Sequence, residues 1–175
     1  MTLTAIDPYQ LLLKPMDIWA NPGMLLTAGN FQTGHFNTMT VGWGSLGVMW
    51  RKPFVQVLVR PTRYTYNFME QYDTFTVCAF PKAYRKAVAF LGSRSGRDFD
   101  KIKESGLTTI PSSAVLAPAF AQANLILECK KIYWDDLAPQ NFLVTRIEKN
   151  YPQKDYHRIY FGEILALFGD DIYSK

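Results

Sequence analysis

The residues best suited to chemistry stand together in Arg60-Pro61-Thr62-Arg63-Tyr64-Thr65. Tyr64, Phe68 and Tyr72 then recur at i, i+4 and i+8, the spacing of one helix face, with Pro61 and Thr62 placed to stop the preceding strand and cap the helix. A first helical turn ordinarily carries Asp or Glu, because its free amides are partially positive. Here Arg60 precedes the cap, Arg63 lies inside the turn, and no acid comes before Glu70. A phosphate satisfies such a set, its oxygens accepting hydrogen bonds from amides, hydroxyls and guanidinium groups at once. Two arginines simply extended into solvent would cost only a few tenths to about 1 kcal/mol, so the residues alone leave both readings open.

Two strands must position that turn. In Asn37-Thr38-Met39-Thr40-Val41-Gly42-Trp43-Gly44-Ser45, Met39, Val41 and Trp43 alternate onto a packing face, while Thr38, Thr40 and two glycines form a face that lets something approach the backbone. A link over Gly47 to Lys52 leads into Pro53 to Arg60, rich in β-branched residues with proline only at its edge. Upstream, Asp7 to Leu13 reads as a short helix before Pro15, and Met24 to Ala28 as a strand joined by a glycine-rich hairpin tip to the Asn37 strand, with His35 a solvated residue of that tip. Downstream, Phe75 to Phe80 is a strand. A helix from Pro81 ends at Gly92, a shorter one spans Lys101 to Ser105, and Pro111 and Pro118 break Leu107 to Phe120. Leu125 to Trp134, Phe142 to Ile147 and Arg158 to Phe168 read as three closing strands. Strands dominate without regular βαβ alternation, so the fold class is mainly β with inserted helices, and an antiparallel barrel is the physical inference.

Four stretches together carry a family resemblance. Asn37-Thr38-Met39-Thr40 with Gly44-Ser45, then Arg60-Pro61-Thr62-Arg63-Tyr64-Thr65, then Ser95-Gly96-Arg97-Asp98-Phe99-Asp100-Lys101, and finally His157-Arg158-Ile159-Tyr160-Phe161-Gly162-Glu163-Ile164 occur in one order across most of the chain. In that combination the chain resembles the flavin reductase-like, FMN-binding split-barrel family, especially its flavoredoxin-like branch. The resemblance implies an antiparallel split β-barrel of Greek-key type. It implies FMN lying along Asn37 to Ser45, with Trp43, Gly44 and Ser45 near the ring and Thr62, Arg63 and Thr65 around the phosphate, and it makes Asn37, Thr38, Met39, Thr40, Arg60 and Tyr64 further cofactor-binding candidates. Arg97 and Lys101 match the family's basic loop, and His157 matches the histidine beside the nicotinamide or substrate side of the flavin. Relatives often have paired serines where this chain has Thr62-Arg63, which leaves FMN and the larger FAD both open. From the residues alone, Trp43 fits a core or interface aromatic equally well. Glu163, in an apolar strand, reads as structural, with Arg146 or Arg158 as its donor.

Composition bounds the rest. The 175 residues fit one domain able to bury a sizeable core. A charged fraction of 19% and an aromatic fraction of 15% suit a chain that covers a flat ring or a partner surface. The net charge of +4 comes without a basic run, which argues against nucleic acid. Cys78 and Cys129 are isolated in apolar segments, as buried thiols of a reducing compartment are, and with His35 and His157 they offer no zinc-like spacing. The first residues lack the pattern of a signal peptide, so the expected location is the cytoplasm. Ile18 to Trp50 is free of Asp, Glu, Lys and Arg, but its glycines, prolines and asparagines rule out a spanning helix, so no membrane partner is expected.

The resemblance implies an FMN oxidoreductase that accepts hydride from NAD(P)H and passes electrons to a flavin or protein acceptor. A flavoredoxin-like electron carrier without direct nicotinamide turnover is the alternative, and a passive flavin-binding module is a third reading. No nicotinamide-binding glycine fingerprint is present. The charge-free run, the set Trp19, Trp43, Trp50 and Trp134, and the family likeness together predict a homodimer with flavin at or near its interface.

Overall fold

The computed structural model describes residues 3–174. The strands are β1 (Thr4–Ala5), β2 (Met24–Asn30), β3 (His35–Val41), β4 (Gly44–Met49), β5 (Lys52–Val59), β6 (Thr74–Ala79), β7 (Thr109–Ile110), β8 (Ala119–Phe120), β9 (Leu125–Asp136) and β10 (Arg158–Gly169). The helices are α1 (Pro15–Ala20), α2 (Tyr64–Gln71), α3 (Arg85–Ser93) and α4 (Lys101–Ser105). Seven strands run in the order β3-β2-β6-β9-β10-β5-β4, every pairing antiparallel, with β1 on the far end of β10 and β7 paired with β8 apart.

That order has a geometric consequence. β3 and β4 are the two edges of the sheet, yet only Gly42 and Trp43 separate them in the chain. The three Cα–Cα steps from Val41 to Gly44 span at most about 11 Å, so the sheet rolls until its edges come together, and the barrel is split between β3 and β4. Breaks in the β9–β10 register at Phe161/Gly162 and Ile164/Ala166 bend the longest ladder, as bulges do.

Leu26, Val41, Val55, Val57, Phe75, Leu127 and Tyr160 fill the barrel, and Leu25, Val88, Leu91, Phe120 and Ile126 form a second cluster on its outer side beneath α3. On β3 the predicted alternation holds for Met39 and Val41, which face the barrel core. The threonine face is not open to a ligand, because α3 covers it. Thr40 Oγ1 donates to the Val88 carbonyl at 2.5 Å, and a Cβ on Gly92 would come within 2.7 Å of that hydroxyl. Gly92 therefore serves helix-on-strand contact, and α3 continues to Ser93 instead of ending there.

Four local readings are corrected. Asn37 to Ser45 is two strands, broken at Gly42-Trp43, and most of the Gly47 to Lys52 link is paired strand. Its turn is Trp50-Arg51, with φ of 54° and 61°, the left-handed pair of a two-residue hairpin that asparagine and glycine usually signal. Pro15 begins α1 as its first residue, whereas Asp7 to Leu13 yields only a single 3-10 turn over Pro8–Gln10 capped by Asp7. Phe142 to Ile147 is not a strand, since both edges of β10 are already taken by β9 and β5. The segment forms 3-10 turns at Pro139–Asn141 and Thr145–Asn150 instead. Glu163 takes its ion pair from Lys52 at 2.6 Å, across the β5–β10 pairing, and not from Arg146 or Arg158. No described helix is long and apolar enough to cross a membrane.

A cationic pocket at the start of helix α2

β5 delivers the chain to α2 at one end of the barrel, and α3 with the loop after it returns to the same place. Between them lies a cavity of about 140 Å³ lined by Asn37, Met39, Thr62, Arg63, Tyr64, Thr65, Arg97 and Lys101, together with Leu91, Gly92, Ser93, Arg94 and Ser95. Thus eight of the residues singled out in the sequence converge. Its charged groups are Arg63, Arg94, Arg97 and Lys101, and no Asp or Glu lines it. The amides of Tyr64 and Thr65 belong to the first turn of α2, where a helix leaves its N–H groups without carbonyl partners. Arg63 occupies the cap position and makes no side-chain cap, so Thr62 is not the N-cap.

The walls are preorganised. Lys101 is 3% exposed, and its ammonium donates to the carbonyls of Leu91 (2.8 Å) and Arg94 (2.9 Å), which leaves one of its three N–H groups over. Burial, then the nearby Arg63, lowers its pKa to about 8. Arg63 donates to the Gly92 carbonyl at 3.2 Å, and Arg97 donates to the Thr62 carbonyl at 3.2 Å while lying over the Tyr64 ring at 5.0 Å. Asn37, 4% exposed, donates to Thr65 Oγ1 at 2.7 Å and so pins β3 to α2. Among the described residues no carboxylate forms an ion pair with these four cations. Neutralisation has to come from outside, and the size and donor set fit a phosphate.

Arg60 has a different fate. It pairs with both oxygens of Asp155 (3.1 and 2.9 Å), donates to the Asn150 carbonyl at 2.7 Å and covers the Tyr151 ring at 4.9 Å. Thr62 Oγ1 also reaches Asp155, at 3.4 Å. Part of the negative charge missing from the sequence around α2 is therefore Asp155, far along the chain and without any local pattern to announce it. Thr38 and Thr40 turn away from the pocket, Thr38 donating to the Leu26 carbonyl at 3.1 Å and Thr40 to α3. Ser45 donates to Gln56 Oε1 at 2.6 Å. Gly44 has a packing reason, since a Cβ there would lie 2.4 Å from both the Gln56 carbonyl and the Trp19 ring.

A second cluster forms at the split. Trp43, 48% exposed, leaves the Met39–Val41 face at Gly42 and sets its ring 4.8 Å from that of His157. Behind the histidine, the buried Tyr151 hydroxyl lies 2.8 Å from His157 Nδ1. That nitrogen is the hydroxyl's one partner among the described residues, and the hydrogen bond can form with either tautomer of the ring. Nε2 has no partner among the described residues and is not among the sealed unpartnered atoms, so it remains open to a ligand. Burial first, then Arg60, lowers the His157 pKa to about 4, against the opposing pull of Asp155. The ring is neutral at physiological pH. Tyr151 was missed in the sequence because it sits in the segment that follows the misread strand. His35, expected to be solvated, is exposed but not idle, with Nδ1 2.7 Å from the Tyr72 hydroxyl.

Comparison with known proteins gives one consistent result. The model of the flavin reductase like domain matches residues 16–171. An uncharacterised protein of Pyrococcus abyssi is 26% identical over 133 residues, which cover 74% of this chain and 64% of that protein's length. Similar solved structures include an FMN-binding domain of a flavin reductase-like enzyme from Shewanella baltica, with TM-score 0.70, 21% identity, and coverage of 97% of this chain and 78% of the other. The flavoredoxin of Desulfovibrio vulgaris gives 0.66, 22%, 91% and 73%, and an NADH:FAD oxidoreductase of Streptomyces globisporus gives 0.64, 18%, 86% and 76%. At these identities the structural likeness shows the fold, which is the split barrel that the sequence resemblance implied.

Lys101 makes the pocket pH-dependent with a definite sign. Its folded pKa of about 8 lies below its unfolded value, so the empty protein gains stability as pH rises from about 8 toward 10, where the buried ammonium is lost before the unfolded one. A bound dianion favours the ammonium, so anion affinity is full below pH 8 and falls above it. Titration calorimetry with a simple phosphate monoester should show roughly tenfold weaker binding at pH 9 than at pH 7. Lys101→Met should weaken binding and flatten that dependence. An affinity constant across this range would remove Lys101 from the site.

Proposed function

The chain belongs to the flavin reductase like domain family, and from that premise we propose that it binds FMN through its phosphate and works as an oxidoreductase, accepting hydride from NAD(P)H and passing electrons to a flavin or protein acceptor. The observation that carries this reading is the acid-free pocket of Arg63, Arg94, Arg97 and Lys101 at the start of α2. When bound, FMN supplies a ring that accepts and releases electrons, as hydride or singly. The residues around it bind, orient and tune. Arg63, Arg97, Lys101 and the first-turn amides of α2 hold the phosphate, and Thr65 and Asn37 fix the wall from which the rest of the cofactor extends. Trp43 offers an aromatic face at the split, and the neutral His157 ring, braced at Nδ1 by Tyr151, presents Nε2, a donor when the ring proton sits there. A donor there orients a carbonyl of flavin or nicotinamide without adding a full positive charge. A flavoredoxin-like carrier, loaded by a protein partner, is the second reading. The absent nicotinamide fingerprint and the likeness to flavoredoxin favour it.

The homodimer belongs to this proposal. An aromatic run crosses the outer face of the sheet, with ring centroids 6.0 Å apart for Trp50–Tyr133, 5.7 Å for Tyr133–Phe161 and 5.4 Å for Phe161–Phe54. Trp50 and Tyr133 are 60% and 44% exposed. A second copy covers such a face most simply, since a two-fold axis matches one patch to itself. Trp19, buried in the core, and Trp134, stacked under the Arg158 guanidinium at 3.8 Å, are not part of the run. Two buried free thiols, Cys78 and Cys129, suit a reducing cytoplasm.

Three experiments test these statements. FMN should bind stoichiometrically and more tightly than riboflavin, and Arg63→Ala should weaken FMN by about 1.5–3 kcal/mol, roughly ten- to hundredfold, while leaving riboflavin nearly unchanged. Equal losses for both ligands would place the phosphate elsewhere. Anaerobic mixing of the loaded protein with NADH and then NADPH separates the two readings: rapid bleaching of the flavin absorbance supports the reductase, and bleaching by dithionite alone supports the carrier. Light scattering should give a dimer that Trp50→Glu dissociates. A native monomer of about 20 kDa that still binds FMN would end the dimer proposal.

A further inference from the structure

At the other end of the barrel a cavity of about 730 Å³ lies between α1, the start of β2 and the turn that follows β10. It shares no lining residue with the phosphate pocket. Gly23 is on its wall, whereas Ala28 pairs with Asn37 of the pocket, so the two sites are separated along β2 by roughly 16 Å. The volume is within the range of about 300–1,000 Å³ typical of sites for small organic ligands. Leu13, Ile18, Phe80 and Ile172 make the walls apolar. One lining residue is both polar and buried: Asn124 is 8% exposed. Its backbone is fixed, the amide donating to the Ala79 carbonyl at 3.0 Å and the carbonyl accepting the Asp170 amide at 3.0 Å. Its side-chain Oδ1 accepts the Tyr173 hydroxyl at 3.4 Å. Nδ2 has no partner among the described residues and is not among the sealed atoms, so it opens on the cavity. A buried amide nitrogen in that state is uncommon and calls for an acceptor.

We propose that this cavity is a second ligand site, which takes a small neutral molecule whose apolar body carries a carbonyl beside an N–H, as lactams and cyclic amides do. The site is independent of the flavin reading and goes beyond it. Its charges select a neutral ligand. Lys14 and Lys82 are set against Asp17 and Asp170 in the lining, in contrast to the acid-free phosphate pocket. Both lysines are exposed and form no ion pair among the described residues. Asp17 is already engaged, accepting from Asn21 Nδ2 at 3.1 Å. Asp170 is half-buried, and its side chain neither caps the turn it begins nor pairs with a cation among the described residues. The bond from the Asp170 amide to the Asn124 carbonyl keeps the residue with the free donor beside the residue with the free acceptor. A ligand carbonyl answers the first and a ligand N–H the second. A carboxylate ligand would meet Asp170 with like charge, an ammonium would leave the Asn124 amide without an acceptor, and plain hydrocarbon would leave both groups desolvated and unmet.

Titration calorimetry of the full chain with 2-quinolone, a flat bicyclic lactam, tests this, with 2-naphthoate as an anion of similar size. The lactam should bind saturably, roughly tenfold or more tighter than the naphthoate, and equally well with FMN present or absent. Asn124→Leu and Asp170→Ala should each weaken it by roughly tenfold or more. Circular dichroism checks that each variant is folded, and Asp170→Ala alone decides if Asn124→Leu is not. Absence of saturable binding at millimolar lactam, tighter binding of the naphthoate, displacement of the lactam by FMN, or an affinity unchanged in folded Asp170→Ala overturns the site. Each of these results leaves the flavin reading in place.

Discussion

A buried ammonium without a carboxylate is the constraint on which the functional end of this protein depends. Lys101 lies within its own fold as a cation held, among the described residues, only by two carbonyls, and a charge taken from water into such a place is costly unless compensated. The two carbonyls belong to the last turn of α3 and the residue just past it, where the helix dipole is negative. That contact ties α4 to α3 and fixes the intervening loop that carries Arg94 and Arg97. An anionic ligand would complete the compensation. A pocket of this kind stores cost in the empty protein and returns it on binding, which is how affinity for a small anion is concentrated in few residues.

The second determinant is topological. Because the chain crosses from one sheet edge to the other through Gly42 and Trp43, barrel closure and the placement of Trp43 against His157 are one event. Arg60 joins the two ends of the site. It leaves β5 beside the α2 turn, yet spends its charge on Asp155 and its face on Tyr151, the residue hydrogen-bonded to His157 Nδ1. A basic residue that sequence would assign to the phosphate instead braces the segment before β10.

What was legible in the sequence follows from the range of each interaction. The alternation of Met39 and Val41, the β-branched run of β5 and the spacing of Tyr64 and Phe68 are local patterns, and they placed β3, β5 and α2 correctly. The acid-free start of α2 was visible for the same reason. The Trp50-Arg51 turn was hidden because its left-handed backbone is imposed by strand pairing on residues that do not advertise it. Phe142 to Ile147 has the composition of a strand but no free edge to join, a fact that exists only in the folded sheet. Asp155 acts at the site through contacts with Arg60 and Thr62, 95 and 93 residues away in the sequence, so nothing in its neighbourhood marked it, whereas Tyr151 meets His157 only six residues on. Thr40, Gly44 and Ser45 look like ligand contacts in sequence and are occupied by α3, Trp19 and Gln56 in the structure.

The central claim is that a phosphate group completes the charge balance around Lys101 and Arg63. Phosphorus-31 resonance of the flavin phosphate across pH 5 to 8, in the complex of the native protein, measures this directly, because a free phosphate monoester titrates with a pKa near 6. The account predicts a bound resonance that stays at the dianion position throughout, the cations holding the second proton off. A bound phosphate that titrates as the free monoester does would contradict it.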